Sequence, residues 1–393
     1  MKVTVTLEAL TSVVSLAALT TIKDASSIFS HLLIEPDGAR MLVKSTNQMT
    51  STSSVLYYTS LSENPRAFTV ESEPLTKWLS TLEGDEVALE VTPDSIVATC
   101  GRSVSYFRTM RPDSFPQILS TEGVGAVEVD ATALFECLDY ARHGLPDASG
   151  DGKIKENMRL VRFRDASAIA TDGGAACYVA GADLGEGVLL DLKVGLQEVP
   201  SLLAFLKKAK GQKITMCRDR ASVLFSTKEG SVFGFSEPAY DHVTDFRTQL
   251  NFSDVNQPVL FLLNMQDFAK AYKSVSASAS VTSKTIVLEI PEPSTLVVEG
   301  DEPVMVDMIL QREGTSAKNV NSAYLRMGMV AIQSDRVTFP MRLTLRVDQV
   351  LKVLAVMGTQ SAPINFVVSP KFARISMLDA NGLQKFIFCS YST

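Results

Sequence analysis

Histidine is scarce in this chain. Its 393 residues include only three, His31, His143 and His242, and these lie far apart. A His-rich metal site or a His-assisted nucleophile needs such residues beside further ligands or beside a Ser or Cys. The motifs GxxxxGK[ST], GxGxxG, GxSxG and HExxH are missing as well. The expectation is therefore a protein without enzymatic activity, metal or cofactor, although a catalytic site assembled from distant residues stays open as an alternative.

Cysteine and long apolar runs are also sparse. The five cysteines, Cys100, Cys137, Cys177, Cys217 and Cys389, are odd in number and scattered, and no CxxC pair occurs. This pattern predicts reduced core thiols, not a zinc site or a disulfide framework. No apolar run approaches the about 20 residues of a membrane-spanning helix, and the first residues alternate as a strand does, unlike a signal peptide. We expect a cytoplasmic location.

The overall charge is mildly acidic. The formal net charge is −7, with 46% hydrophobic and 21% charged residues, as in ordinary globular proteins. This balance weighs against a surface that coats nucleic acid as a whole. It leaves room for a local basic patch, because the distribution of charge matters more than its total.

The chain repeats itself three times. Similar strand–helix openings start near Val3, Ala126 and Leu260. The second halves of the repeats restart at Phe68, Leu190 and Leu343, and each again leads into a helix. Because the repeating unit is as large as a small domain, we predict an α+β protein with three similar domains, at residues 1–121, 122–252 and 253–393.

Strand signals dominate, and six helices stand out, two in each third. The clearest helix is Val199–Lys210, where Val199, Leu202, Leu203 and Leu206 form an apolar stripe. The helix from Met265 is expected to bury Met265, Phe268, Ala269 and Tyr272. Two further helices are predicted at Pro74–Leu82 and Val347–Met357.

Several short motifs carry a family likeness. In the first third these are Met1–Val5, Ser45–Gln48 and the run from Cys100–Ser103 to Asp113–Pro116. The second third contains Ala-Ile-Ala-Thr-Asp-Gly at 168–173 and Glu-Pro-Ala-Tyr-Asp at 237–241, and the last third follows the pattern over 343–393. In this order, the motifs resemble those of the bacterial-type DNA polymerase sliding clamps, with a divergent viral version as one possibility.

This resemblance implies a ring. In that family, two three-domain chains form a homodimer whose helices line a central hole and whose sheets lie outside. The ring holds double-stranded DNA without reading its sequence and tethers the polymerase. The location would be the nucleoid or a viral replication site. The DNA-contacting residues would be Lys23, Lys77, Lys207, Lys208, Lys210, Lys270, Lys273 and Lys352. The alternative for each is a solvated lysine on a polar helix face. Ser12, Ser15, Glu136 and Asp139 on the other helices would leave the positive charge patchy.

The resemblance also implies a pocket for short peptides from DNA polymerase and the clamp loader, between the second and third domains. The matching residues are Met158, Thr171, Gly173, Gly174, Ala175, Ala176, Pro238, Val243, Ile387, Cys389, Ser390 and Tyr391. Two departures matter. The family usually has His-Arg-Leu after Thr-Asp-Gly, where this chain has Gly174-Ala175-Ala176, and it usually ends Pro-Met-Arg-Leu, where this chain ends Ser-Tyr-Ser-Thr. The pocket would then be smaller-walled and less polar. The alternative for both alanines is plain strand packing.

Two functions therefore remain open. The first is a DNA-encircling processivity clamp without catalytic activity. The second is a clamp-fold or other β-rich scaffold that binds proteins and not DNA, which the acidic balance and the non-basic helices favour.

Overall fold

The computed structural model describes most of the chain. The described residues are 1–62, 65–119, 125–146, 156–185, 188, 190–219, 221–239, 259–277, 279, 283–292, 304–313, 320–332, 340–358, 364–368, 372–378 and 383–390. Val243 and Tyr391, two of the expected peptide-contacting residues, lie outside this set, as do both expected domain boundaries.

The first third contains eight strands and two helices. They are β1 Lys2–Thr6, α1 Leu7–Ala17, β2 His31–Asp37, β3 Arg40–Thr46, β4 Thr50–Leu61, β5 Phe68–Glu71, α2 Ser72–Leu79, β6 Glu86–Val91, β7 Ser95–Cys100 and β8 Ser103–Arg108.

The second third has the same order of elements. They are β9 Ala126–Asp130, α3 Ala131–Ala141, β10 Leu160–Asp165, β11 Ser167–Thr171, β12 Ala175–Ala180, β13 Leu190–Gly195, α4 Val199–Lys208, β14 Lys213–Arg218, β15 Ser222–Ser226 and β16 Val232–Ser236.

The last third repeats the order once more. Its elements are β17 Val259–Leu263, α5 Met265–Ser276, β18 Thr285–Ile290, β19 Val304–Glu313, β20 Val320–Ile332, β21 Met341–Arg346, α6 Val347–Met357, β22 Ile364–Val368, β23 Phe372–Leu378 and β24 Gln384–Ser390. Within the described residues, the α+β class and the six helices, two in each third, are confirmed.

The first helix of each third starts at a capping residue that ends a strand or directly follows one. Thr6 Oγ1 accepts a hydrogen bond from the Ala9 N–H at 3.3 Å. Asp130 Oδ1 accepts from Ala133 at 2.8 Å, and Asn264 Oδ1 accepts from Gln266 at 3.0 Å. A short polar side chain at this position satisfies an otherwise unpaired N–H of the first helical turn. The three repeats therefore share the same kind of helix N-cap as well as the same order of elements.

The buried faces of two helices differ in part from the sequence prediction. In α5, Met265, Phe268, Ala271 and Val275 are buried, whereas Ala269 and Tyr272 are only half-buried. In α4, Phe205 is buried and Leu203 is half-buried. Positions three and four residues along a helix both lie near one face, so the neighbouring elements decide which of the two is covered.

Two helix bounds also need correction. Helix α2 begins at Ser72 and ends at Leu79, not at Pro74 and Leu82. Helix α4 ends at Lys208, two residues before the expected Lys210.

The chain divides into two compact units. The first unit comprises Met1–Glu136, Asp183–Val188 and Leu192–Ala239, and the second comprises Cys137–Ala182, Leu189–Asp191 and Tyr240–Thr393. One twelve-stranded sheet has the path β8-β7-β6-β1-β4-β16-β15-β14-β9, with β3, β2 and β5 branching from β4. The other has the order β13-β10-β11-β12-β24-β23-β22-β17-β20-β19-β18-β21. The strands of the second third are thus shared between the two sheets.

Alternation along the strands builds the core of the first unit. Val3 and Val5 in β1 are 0% exposed, while Lys2 and Thr6 at the two ends of the strand face outward. Leu10 and Val14 of α1 meet these strand residues in the same cluster. Each such side chain contributes roughly 1.5–3 kcal/mol of burial free energy. Among the described residues, no helix is long and apolar enough to cross a membrane.

Candidate nucleic-acid and peptide interfaces

The turn between β11 and β12 holds the Thr-Asp-Gly motif in a tight network of short hydrogen bonds. Thr171 Oγ1 donates to the Ala175 carbonyl at 2.7 Å and accepts from the Gly173 N–H at 3.0 Å. Asp172 Oδ1 accepts from the N–H groups of Gly174 and Ala175 at 2.8 and 2.7 Å. Gly173 has φ +88°, a conformation that glycine adopts without steric cost. The motif therefore specifies the shape of the turn.

An ion pair connects this turn to α6. Lys352 Nζ lies 2.6 Å from Asp172 Oδ2 and donates to the Leu145 carbonyl at 3.1 Å. The two charged side chains are only 15% and 9% exposed. Burial acts to raise the pKa of Asp172, but the hydrogen bonds from Lys352, Ala175 and Gly174 outweigh burial and lower that pKa. Lys352 is thus committed to a carboxylate within its own chain, which argues against its expected role as a phosphate contact.

Gln349 makes a second link to the same turn. Its side chain is 1% exposed and donates to the Gly174 carbonyl at 2.6 Å. Its Oε1 accepts from the Arg346 N–H at 2.9 Å, which closes a capping arrangement at the start of α6. A Cβ added at Gly174 would lie 3.0 Å from Arg346 Nη1 and 3.5 Å from Gln349 Nε2. A bulky residue at 174 would therefore disturb the link to α6 as well as the turn.

Strand β24 runs beside β12 and brings four of the expected peptide-contacting residues together. Ala175 pairs with Cys389 and Cys177 pairs with Ile387. Ala175, Ala176, Ile387 and Cys389 are between 0% and 4% exposed. These side chains are packed inside the sheet, so the strand-packing reading of the alanines holds. At this degree of burial they offer a peptide almost no surface.

The expected peptide-contacting residues with exposed surface in the second unit lie around the turn. Gly173 is exposed, and Gly174 and Met158 are half-buried. A Cβ at Gly173 would lie 3.4 Å from Met158 Sδ, so Met158 flanks the turn. Pro238 belongs to the first unit and is half-buried. The side chain of Ser390, like Val243 and Tyr391, lies outside the described set.

Three lysines lie close together at the C-terminal end of α4. Lys207, Lys208 and Lys210 are exposed. Lys208 Nζ donates to the Ser12 carbonyl of α1, and Lys210 Nζ lies 4.0 Å from the centroid of the Phe135 ring. Cations at a helix C-terminus are favoured by the helix dipole. This end of α4 concentrates positive charge at one place.

The other expected DNA-contacting lysines are exposed, and two of them have acidic neighbours. Lys77 lies 2.6 Å from Glu73, and Lys270 lies 3.5 Å from Asp267. Lys23 and Lys273 are exposed. On α1, the residues that face solvent include Glu8, Ser12 and Ser15, as the sequence pattern predicts. The positive charge of the described helices is therefore uneven.

Solved structures with the same architecture identify the fold. The chain superposes on the DNA polymerase III subunit beta from Pseudomonas aeruginosa with a TM-score of 0.80, covering 100% of both chains. The corresponding subunit from Thermotoga maritima gives a TM-score of 0.81, covering 100% of this chain and 99% of that one. The chain has the β sliding clamp fold. The Helicobacter pylori beta clamp bound to a DNA ligase peptide also matches, with a TM-score of 0.74 and full coverage of both chains.

Sequence similarity to these clamps is low. The identities are 15%, 16% and 15% for the Pseudomonas, Thermotoga and Helicobacter proteins. No protein-family model and no curated protein sequence matches the chain. The clamp fold is thus shared over the full length while most side chains differ, so each proposed contact must stand on this chain's own geometry.

Sequence reasoning missed three residues that organise the turn of this clamp fold. Leu145, Gln349 and Arg346 supply a carbonyl acceptor and two side chains to the contacts described above. One sequence feature could have predicted a role for Gln349: it is the N3 residue of its helix, where Gln completes a capping box. Its second partner, Gly174, is 175 residues away in sequence, and nothing local indicates that contact.

Proposed function

We propose that this protein is a DNA sliding clamp. Two copies would form a ring of six domains that encircles double-stranded DNA and tethers a DNA polymerase for processive synthesis, with no catalytic activity of its own. The single observation that carries this proposal is the clamp fold over the whole chain at TM-scores near 0.8. The strand pairings of this chain add an independent argument.

Successive thirds of the chain are joined by strand pairs that follow one rule. In each case the eighth strand of one third lies antiparallel to the fourth strand of the third before it. In the first unit, Val232 pairs with Ser53 and Phe235 pairs with Thr50, in β16 and β4. In the second unit, Phe386 pairs with Tyr178 and Cys389 pairs with Ala175, in β24 and β12. The strand order β14–β15–β16 of the second third is equivalent to β22–β23–β24 of the last third. When these strands are aligned through their own pairings, equivalent residues are paired at the two junctions.

Among the described residues, one eighth strand and one fourth strand have no junction partner of this type. Among the described strands, β8 pairs only with β7, and the part of β20 before Gly328 pairs only with β19. These are the eighth strand of the first third and the fourth strand of the last third. Continuing the rule, Val104 of one copy would pair with Ser322 of a second copy, and Tyr106 with Val320. Val104, Tyr106 and Tyr324 are 50%, 74% and 75% exposed, which is unusual for such side chains unless a partner covers them.

Two copies joined in this way would leave neither strand open. A closed symmetric assembly is the common outcome for soluble oligomers, and it removes strand edges that would otherwise invite aggregation. Each copy contributes three repeats, so the closed homodimer has six.

DNA would be held by loosely placed positive charge. Lys207, Lys208 and Lys210 at the end of α4, with Lys23, Lys77, Lys270 and Lys273, are the proposed phosphate contacts, since all are exposed. Contacts to phosphate carry no sequence information and weaken steeply with salt. The net charge of −7 argues against tight DNA affinity, so a closed ring that surrounds the duplex would be the main means of retention.

Partner peptides from the polymerase and a clamp loader would dock on the exposed part of the turn, at Met158, Gly173 and Gly174. The Helicobacter pylori clamp bound to a DNA ligase peptide supports this kind of partner. Pro238, Val243, Ser390 and Tyr391 stay as proposed contributors. Because Gly174 and two buried alanines replace larger side chains usual in the family, the preferred peptide should differ from the common bacterial one.

The proposed ring is tested by cross-linking. In a Cys217→Ser background, the pair Val104→Cys and Ser322→Cys should give a covalent two-chain particle with two disulfides, because paired strand positions lie within disulfide range. The control pair Val104→Cys and Tyr324→Cys moves one cysteine by two residues along the same face, and it should not cross-link efficiently. A three-chain particle by light scattering, or equal cross-linking of both pairs, would contradict the proposal.

Encirclement needs its own assay. The closed, cross-linked dimer loaded on DNA should stay on a nicked circle and slide off a linear fragment. Equal retention on both would favour the second candidate, a clamp-fold scaffold that binds proteins without surrounding DNA. That alternative is favoured by the acidic balance and by the solvent-facing residues of α1, where Glu8, Ser12 and Ser15 include no basic residue.

A further inference from the structure

A cavity of about 340 Å³ lies in the first unit, between α1, α4, β4 and the turn that joins β15 to β16. Val13, Leu16 and Phe205 form an apolar part of its wall. Ser54 and Gln212 contribute polar atoms, and Lys208 and Glu229 are the charged residues that line it. The cavity is thus an amphipathic space with one amine at its border.

Two polar atoms of the cavity wall lack a partner. Ser54 Oγ and Gln212 Oε1 are buried and have no hydrogen-bond partner among the described residues. Ser54 is only 1% exposed. A buried hydroxyl without a partner is unfavourable and rare in folded proteins. The wall is therefore equipped to bind a group that offers a hydrogen-bond acceptor to Ser54 or a donor to Gln212.

Lys208 differs from its neighbours on α4. Its Nζ donates to the Ser12 carbonyl and lies 3.5 Å from Ser12 Oγ, so the amine is turned toward α1. The side chain as a whole keeps exposed surface, but the partial burial of its amine lowers the pKa of Lys208. The groups that face it from α1 are neutral, and Glu229 is the carboxylate on the cavity wall. A lysine held in this way has a larger share of the neutral, nucleophilic amine than a solvated one.

We infer that Lys208 is an acylation site, with the cavity accommodating a small acyl group such as acetyl. The donor class is an acyl phosphate or an acyl thioester. The neutral Nζ attacks the carbonyl carbon of the donor, and a C–N bond forms. The bond from that carbon to the phosphate oxygen or thiolate sulfur breaks, and the leaving group takes the electron pair. Nζ then releases one proton to water.

The amide product fits the cavity better than a bare amine does. Its single N–H can keep the bond to the Ser12 carbonyl that the amine makes now. Ser54 Oγ offers a donor for the acyl oxygen, and the methyl group meets the apolar wall formed by Val13, Leu16 and Phe205. Acylation would also remove one positive charge from the basic end of α4. A consequence for DNA retention rests on the proposed function, whereas the modification itself does not.

The test compares three lysines in one protein. DNA-free full-length protein is incubated with acetyl phosphate at neutral pH, and acetylation of Lys207, Lys208 and Lys210 is followed by mass spectrometry. Lys208 should be acetylated faster than Lys207, because burial lowers the pKa of its amine and the cavity beside it has room for the acyl group. Equal or slower acetylation of Lys208 would overturn the inference. A parallel reaction with acetyl-coenzyme A distinguishes the donors: reaction with either donor supports the site, and reaction with neither overturns it.

A second variant tests the cavity. Ser231 lines it, so Ser231→Phe should fill the space and bring the rate at Lys208 down to that at Lys207. Ser222 lies on the same hairpin but does not line the cavity, so Ser222→Phe should leave the ratio unchanged. Circular dichroism verifies that both variants fold. An unchanged ratio in a folded Ser231→Phe protein would mean that the cavity has no part in the reaction. Because this readout involves no DNA, it is independent of the clamp proposal.

Discussion

Replacing Lys352 with Met isolates the contribution of the ion pair between α6 and the Thr-Asp-Gly turn. The substitution keeps the length and the apolar stem of the side chain but leaves Asp172 without its cation. The carboxylate would still accept hydrogen bonds from Gly174 and Ala175. It would nonetheless remain a poorly solvated charge, since its side chain is only 9% exposed.

The expected loss follows from the degree of burial. Removing one partner of a buried ion pair costs roughly 3–5 kcal/mol. Lys352 keeps 15% exposure, so the loss should fall near the low end, at about 3 kcal/mol. Removing both partners should be milder, because no unpaired charge remains. The double variant Asp172→Asn, Lys352→Met should therefore be more stable than Lys352→Met alone.

The single tryptophan allows an internal control. Trp78 belongs to the first unit, whereas Asp172 and Lys352 belong to the second. In urea titrations, circular dichroism at amide wavelengths reports on the whole chain and tryptophan fluorescence reports on the first unit. Lys352→Met should shift the circular-dichroism transition to lower urea and leave the fluorescence midpoint nearly unchanged.

Acid should erase the difference between the variant and the wild type. The folded-state pKa of Asp172 is lowered from 3.8, so its stabilising contribution is present above pH 3.8 and is lost as the pH falls through the folded value. The deficit of Lys352→Met should thus be constant between about pH 6 and pH 8 and shrink below about pH 4. A loss below about 0.5 kcal/mol at neutral pH, or a double variant as unstable as the sum of the two single ones, would refute the reasoning.

Three further predictions concern single side chains. Gly173→Val should cost about 1–2 kcal/mol of unfolding free energy, because φ is +88° there, while Gly125→Val, at a site with open space around it, should cost little. Cys177 should resist a thiol reagent at pH 8 in the folded protein, because burial raises its pKa to about 12, and the half-buried Cys217 should react first; reaction of Cys177 before unfolding would contradict its burial. Lys207→Glu should lower the salt dependence of DNA binding by about one unit of slope, and an unchanged slope would exclude Lys207 from the phosphate contacts.

The local pattern of the chain was enough to predict the repeat. Strand–helix openings near Val3, Ala126 and Leu260, each followed by a second strand–helix start, mark the three thirds. These signals act within a few residues, so they survive at about 15% identity to solved clamps. Helix ends were less predictable. In α2, the chain leaves the helix at Leu79, although Leu82 continues the apolar spacing.

The candidate site was predictable in outline only. The Thr-Asp-Gly turn is visible in the sequence, and Gly173 has the backbone conformation that such a turn requires. The roles of the side chains around the turn were not visible. Ala175 and Ala176 could equally line a pocket or a sheet interior, and their pairing with β24 decides for the interior.

Sequence alone predicted three similar repeats, six helices and a chain without the usual catalytic motifs, because these features depend on the spacing between residues that are close in sequence. It could not tell one lysine from another. Lys352 and Lys207 both follow an apolar stripe on a helix, yet Lys352 meets Asp172 across 180 residues of chain, while Lys207 stays exposed. Only the tertiary structure separates them, since the partner of a charge is set by which distant segments fold against its helix.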